Sequence, residues 1–262
     1  MENKPATKEN VHSFWNERAA LGVNAGSNDV TAKRIEIEAI ASYAKDGMRI
    51  LDFGCGSGVT ALELARRYDV DMLGIDYAEE MVKTAHELAA GVQTKRPVRF
   101  EVGDVDSLHK LTGRFDMVYT ERMLVNLKNW EEQSAAIAAL TGTLAPGGIL
   151  VMCENSMDGL DAINELRREV GLETIIPPWH NVYMRDSLIE GLSIPGATLE
   201  ATNYYSSTYY FLSRVVNAWL SAREGVPPSY DAPVNMLALS LPPIGKMGQG
   251  RIWVWRKAAN GK

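Results

Sequence analysis

Residues 50–58 read ILDFGCGSG, a short apolar run that ends on an acid and meets glycine at alternate positions, Gly54, Gly56 and Gly58. No other stretch limits the possible folds so tightly. The run VTALELARRYDV behind it has helical spacing. The segment therefore predicts a buried strand that turns through glycines into a helix N-terminus, at the C-terminal edge of a sheet where ligands bind. Glycines there permit positive φ and let a ligand come close to the main chain. A dinucleotide fingerprint, G-x-G-x-x-G, would need glycine at position 59, and Val59 stands there. Asp52, just ahead of the first glycine, is a poor neighbour for a pyrophosphate and a good one for an ammonium group.

Further signals follow in order. DMLGID at 71–76 reads as a second strand ending on Asp76, at the tip of the neighbouring strand. A carboxylate in that place can accept both hydroxyls of a ribose. VRFEV predicts a third strand and leads into Gly103, Asp104 and Val105; FDMVYT at 115–120 is a fourth, and LAPGGILVMCE at 144–154 turns into a fifth. Together these segments resemble the class I S-adenosylmethionine-dependent methyltransferases of the small-molecule type. The resemblance implies an α/β fold: a doubly wound, mostly parallel seven-stranded sheet with an N-terminal helical lid and a C-terminal cap insertion. It implies S-adenosyl-L-methionine as cofactor, bound by Asp52, Gly54, Cys55, Gly56, Gly58, Asp76, Tyr77, Met81, Asp104 and Val105. Asp76 would hold the ribose, Met81 and Asp104 would meet the adenine, and Glu121 would border the methyl site. Trp15 and Arg18 join this set as groups of the lid.

Composition narrows the class. A chain of 262 residues, 46% of them hydrophobic, suits one domain. Its expected parts are a lid at 1–45, a cofactor core at 46–157 and a substrate half at 158–262, capped at about 208–249. A net charge of −6 without a basic stripe argues against nucleic acid. No apolar run is long enough to span a bilayer, and the N-terminus MENKPATKEN is polar. A cytoplasmic protein with a small-molecule substrate and no membrane partner is expected, with a homodimer among the assemblies open to it. Cys55 and Cys153 form neither a disulfide framework nor a metal spacing, so a metal-independent reaction is expected.

Along the chain, the first ten residues should be loose and helices should follow at 12–22 and 30–45, separated by a loop with capping residues Asn28 and Asp29. Further helices are expected near 58–69, 78–91, 130–144 and 158–171. TLEATNYYSS at 198–207 predicts a sixth strand. GRIWVWRK at 250–257 predicts the last, which by the resemblance runs antiparallel between strands five and six.

Candidates for the chemistry lie at strand tips and in the cap. His180 stands in IIPPWHNVYMRD, a loop stiffened by Pro177 and Pro178. Histidine titrates near neutrality, so His180 is the preferred base, with Asn181 and Tyr183 beside it as substrate contacts. Glu121 and Arg122 follow the fourth strand, and Asn155 follows the fifth. Tyr204, Tyr205, Tyr209 and Tyr210 form an aromatic cluster with Arg214; strand alternation would send Tyr204 and Tyr205 to opposite faces. Tyr205, Tyr209 and Arg214 are the substrate candidates among them. The expected reaction is methyl transfer to an oxygen of a small polar metabolite or sugar. N-methylation of a small amine, or a non-catalytic module binding the cofactor or its demethylated product, are the alternatives.

Overall fold

A computed structural model describes residues 6–259. Of the ten residues expected to be loose, residues 1–5 lie outside the described residues. Thr7 accepts the Asn10 amide and starts α1 (Lys8–Arg18) several residues before the expected helix. His12 consequently sits within α1, 2.9 Å from Glu79. A 3-10 turn (Ala19–Asn24) leads to α2 (Val30–Ala41), where the Asp29 side chain accepts the Ala32 amide at 3.0 Å.

Strand and helix then alternate as the sequence pattern requires. The elements are β1 (Arg49–Phe53), α3 (Val59–Arg67), β2 (Asp71–Asp76), α4 (Glu79–Ala90) and β3 (Arg99–Val102). After them come β4 (Phe115–Glu121), α5 (Trp130–Gly142), β5 (Leu144–Asn155), α6 (Met157–Glu169) and α7 (Asp186–Glu190). The sheet closes with β6 (Ala197–Asn203) and β7 (Gly250–Lys257), in the order β3-β2-β1-β4-β5-β7-β6. Only β7 is antiparallel, to both its neighbours. Alternate side chains face opposite ways. Ile50, Met72, Met117 and Val151 pack with Leu62, Leu64 and Val82 on one face, while Leu51, Leu73, Val118 and Leu150 pack with Ile137 and Leu140 on the other. Strand order reverses between β1 and β4, which opens a crevice beyond their C-terminal ends.

Strand β6 ends four residues earlier than expected. The Ser207 amide bonds the Tyr204 carbonyl in a turn, and Ser206 Oγ donates to the Gly250 carbonyl at 2.8 Å. Tyr204 and Tyr205 therefore lie in that turn, outside any strand alternation. Beyond it the chain is helical through α8 (Ser207–Phe211), a π turn (Leu212–Asn217) and α9 (Ala218–Glu224), followed by the short α10 (Pro233–Met236). No helix among the described residues is long and apolar enough to cross a membrane.

Candidate functional site

The glycine turn lies at the reversal point. Gly54, Gly56 and Gly58 all have positive φ, and the Gly54 and Cys55 amides donate to the Ile75 carbonyl at 2.7 and 2.9 Å, tying the turn to β2. A Cβ on Gly54 would strike Met123 at 2.3 Å and one on Gly58 would strike Phe100 at 2.6 Å. A Cβ on Gly56 would meet nothing within 4 Å, because that residue faces open space. Asp76 shapes the same turn: its carboxylate accepts the Gly56 amide at 2.8 Å and the Ala78 amide at 2.9 Å.

Asp52 is buried at the end of β1, where Tyr119 Oη donates to its Oδ2 at 2.7 Å. Its Oδ1 has no hydrogen-bond partner. Burial pushes this carboxyl up to about 8. A buried acceptor without a donor is costly, and a ligand's ammonium group would supply both donor and counter-charge. The open face of Gly56, the free oxygen of Asp52 and the carboxylate of Asp76 thus fit an amino-acid-bearing nucleoside.

Above the turn lies a cavity of about 780 Å³. Of the cofactor candidates, Trp15, Arg18, Asp52, Gly54, Cys55, Gly56, Asp76, Tyr77, Met81, Asp104, Val105 and Glu121 border it. Gly58 stands behind the wall as the N-cap of α3. Of the substrate candidates, Arg122, Asn155, His180, Asn181, Tyr183 and Arg214 border the cavity. Tyr205 and Tyr209 are placed elsewhere. The Tyr205 hydroxyl meets the Cys153 thiol at 3.3 Å under the sheet end, and Tyr209 Oη donates to Asp29 at 2.5 Å.

Residues of α1 border one side of the cavity. Trp15 Nε1 and Asn181 Nδ2 both donate to Asn126 Oδ1, at 3.1 and 3.3 Å, and Arg18 Nε donates to the Ala25 carbonyl at 2.6 Å. His180 lies against Phe14, Trp15 and Trp179, with ring centroids 4.3, 5.6 and 5.3 Å away. Burial, aided by the Arg18 charge, lowers its imidazole to about 4, and its Nδ1 has no partner. Its ring is therefore neutral well below pH 7. Asp29, just ahead of α2, receives Arg214 Nη2 from the π turn at 2.8 Å besides Tyr209 from α8.

A buried ionic cluster sits where α2 meets β4. Glu121 accepts hydrogen bonds from Lys33 and, at 2.6 Å, from Thr60 Oγ1. Arg122 Nη2 lies 3.4 Å from Glu121 and 3.3 Å from Glu36, while its Nη1 donates to the Gly26 carbonyl at 3.1 Å. Burial alone would raise Glu121, but the Lys33 and Arg122 charges outweigh it and hold the carboxyl at about 2. Arg122 adopts φ +53°, a left-handed conformation that aims its guanidinium back at the lid. Nearby, Glu154 accepts the amides of Met123, Leu124 and Val125 at 3.0 to 3.3 Å and so fixes the loop after β4. Lys33, Glu36 and Asn126 were not singled out by the sequence. The one signal available was the pairing of Lys33 and Glu36 at helical spacing beside the apolar positions of α2.

Residues 50–148 match the Methyltransferase domain family. The 27-O-demethylrifamycin SV methyltransferase of Amycolatopsis mediterranei (strain S699) is 30% identical over 62% of this chain and 59% of its own length. Phosphoethanolamine N-methyltransferase 1 of Arabidopsis thaliana is 30% identical over 50% of this chain and 25% of its own length. The chain thus spans less than two thirds of these curated relatives. Among solved structures, magnesium protoporphyrin IX methyltransferase from Synechocystis PCC 6803 with bound SAH superposes with a TM-score of 0.53 at 18% identity, over 88% of this chain and 83% of that one. The [4+2]-cyclase SpnF gives 0.57 at 24% identity, over 86% and 80%. These structures share the fold.

Proposed function

With a core that belongs to the class I S-adenosylmethionine-dependent methyltransferase family, we propose that this chain transfers a methyl group from S-adenosyl-L-methionine to an oxygen of a small polar molecule. The observation that carries the reading is the pairing of Asp52, with one buried oxygen lacking a donor, and Asp76 at adjoining strand tips around the open face of Gly56. Asp52 would receive the cofactor's ammonium group and Asp76 its ribose, while Met81, Asp104 and Val105 would border the adenine. When bound, the cofactor supplies an activated methyl group on a sulfonium.

The protein then has to orient the acceptor, exclude water and take a proton. The segment ahead of α2 meets α8 and the π turn through Asp29 at the edge of the cavity. Arg122, Asn155, His180, Asn181, Tyr183 and Arg214 would form the acceptor side. His180, its ring titrating near 4 rather than near neutrality, enters this reading as a neutral hydrogen-bond acceptor. Arg122 and Arg214 border this side of the cavity already paired with the carboxylates of Glu36 and Asp29. Calorimetric titration with S-adenosylhomocysteine, followed by transfer of labelled methyl to a panel of small hydroxyl and amine compounds, tests the reading. Binding with transfer to hydroxyl compounds supports it; absence of binding defeats it.

A further inference from the structure

The loop that carries His180 rests on α1 more than on the sheet. No hydrogen bond among the described residues joins the backbone of residues 176–180 to another element. Before it, Asn164 Nδ2 donates to the Ile175 carbonyl at 2.9 Å; after it, the Val182 amide donates to the Val125 carbonyl at 2.7 Å. Between these anchors Trp179 and His180 lie against Phe14 and Trp15 of α1, with ring centroids 5.7, 4.3 and 5.6 Å apart. Helix α1 is tied as well to the start of α4. His12 lies 2.9 Å from Glu79, Asn16 Oδ1 accepts the Glu80 amide at 3.0 Å, and Trp15 and Tyr77 pack with Ala78 and Met81. It therefore touches residues read as cofactor contacts and residues read as acceptor contacts.

One oxygen joins the two sides. Trp15 Nε1 from α1 and Asn181 Nδ2 from the loop both donate to Asn126 Oδ1, at 3.1 and 3.3 Å. Asn126 stands in the short 3-10 turn after β4 (Leu124–Asn126), half-buried and bordering the cavity. Its own Nδ2 donates to the Arg122 carbonyl at 2.7 Å. An indole N–H can only donate, and an amide oxygen has two lone pairs. Both are used here, and the Asn126 amide cannot turn without breaking these bonds.

We propose that Asn126 is a positioning residue that makes the acceptor loop respond to the cofactor, acting through Trp15 and Asn181. The inference rests on the methyltransferase reading and adds a coupling between its two ligands: the acceptor binds more tightly once the cofactor is in place. A cofactor packed against Tyr77 and Met81 holds Trp15. Trp15 and the Asn126 oxygen hold Asn181, and with it the neighbouring His180. The loop has few other anchors, so it loses its freedom when the cofactor binds, and the acceptor then meets a loop already in position. By reciprocity a bound acceptor holds the cofactor more firmly too.

Hydrogen exchange in the full chain, with and without saturating S-adenosylhomocysteine, tests the coupling. The quantity read is the ligand's effect on residues 176–181, followed beside residues 54–58, which report occupancy of the glycine turn. In the wild type the ligand should slow exchange in both segments, in the loop by at least ~5-fold, the lower end of coupling between sites. Asn126→Ala removes the shared acceptor and Trp15→Phe removes one donor while keeping a ring against His180. In both variants residues 54–58 should still be protected, and exchange in the loop should no longer change with ligand. A merely structural Asn126 would speed loop exchange equally in the two conditions and leave the ligand's effect intact. That result in either folded variant, or a wild-type loop that ignores bound ligand, overturns the proposal. Trp15→Phe decides alone if Asn126→Ala fails to fold. No protection of residues 54–58 in the wild type would strike the methyltransferase reading instead.

Discussion

Asp52 and Tyr119 stand opposite each other on β1 and β4, and the phenol donates to one carboxylate oxygen at 2.7 Å while the other is buried with no partner. In the proposed function this half-satisfied acid is the group that selects the ligand. Its folded pKa, about 8, lies above the ordinary value of 3.8, so the folded state holds the proton more tightly. That contribution to stability is full below pH 4 and is lost as pH rises through 8. Asp52→Asn should therefore raise the unliganded Tm more at pH 8.5 than at pH 6, while lowering S-adenosylhomocysteine affinity at least ~10-fold. Thermal melts at both pH values check it; an equal Tm change would contradict it.

Asp76→Ala removes the acceptor for the Gly56 and Ala78 amides as well as the proposed ribose contacts. Two charge-assisted hydrogen bonds of about 1.5 kcal/mol each correspond to an affinity loss of ~100-fold. Calorimetry on a variant with unchanged far-ultraviolet circular dichroism reads this directly. Unchanged affinity would remove Asp76 from the site.

Asp29 should be a point of high stability cost. It caps α2 and receives Tyr209 and Arg214 from the cap. Asp29→Ala leaves those donors unpaired, and a loss of about 2–4 kcal/mol is expected by denaturant melting. A change within ±0.5 kcal/mol would show that lid and cap hold together without it.

How much of this was readable in the chain depends on range. The core, from Arg49 to Asn155, was legible because its strands are nearly continuous apolar runs and the glycines mark the turn. The end of β6 was not legible: Tyr204 and Tyr205 have strand propensity, and the turn is set by Ser206 reaching Gly250 across the fold. Glu36 was missed for a similar reason. A glutamate in VTAKRIEIEAIA reads as solvent-facing, and it is buried only because Arg122 and Glu121 come to meet it from β4. His180 was visible as a reactive type, but its low pKa comes from burial and Arg18 and from no feature of its own loop.

His180→Ala separates positioning from proton transfer. Loss of a ring packed against Phe14, Trp15 and Trp179 should weaken acceptor binding about tenfold, the scale of one hydrogen bond, and raise KM more than it lowers kcat. Because the imidazole is neutral from pH 5 upward, the pH–rate profile between 6 and 8 should keep its shape. A profile that flattens in this variant would make His180 the base.

The most direct measurement is a crystal structure of the chain with S-adenosylhomocysteine. The ligand's amino group should lie within hydrogen-bond reach of Asp52 Oδ1, its ribose hydroxyls on Asp76 and its chain along Gly56. A ligand bound elsewhere, with Asp52 still lacking a partner, would contradict the assignment of this crevice.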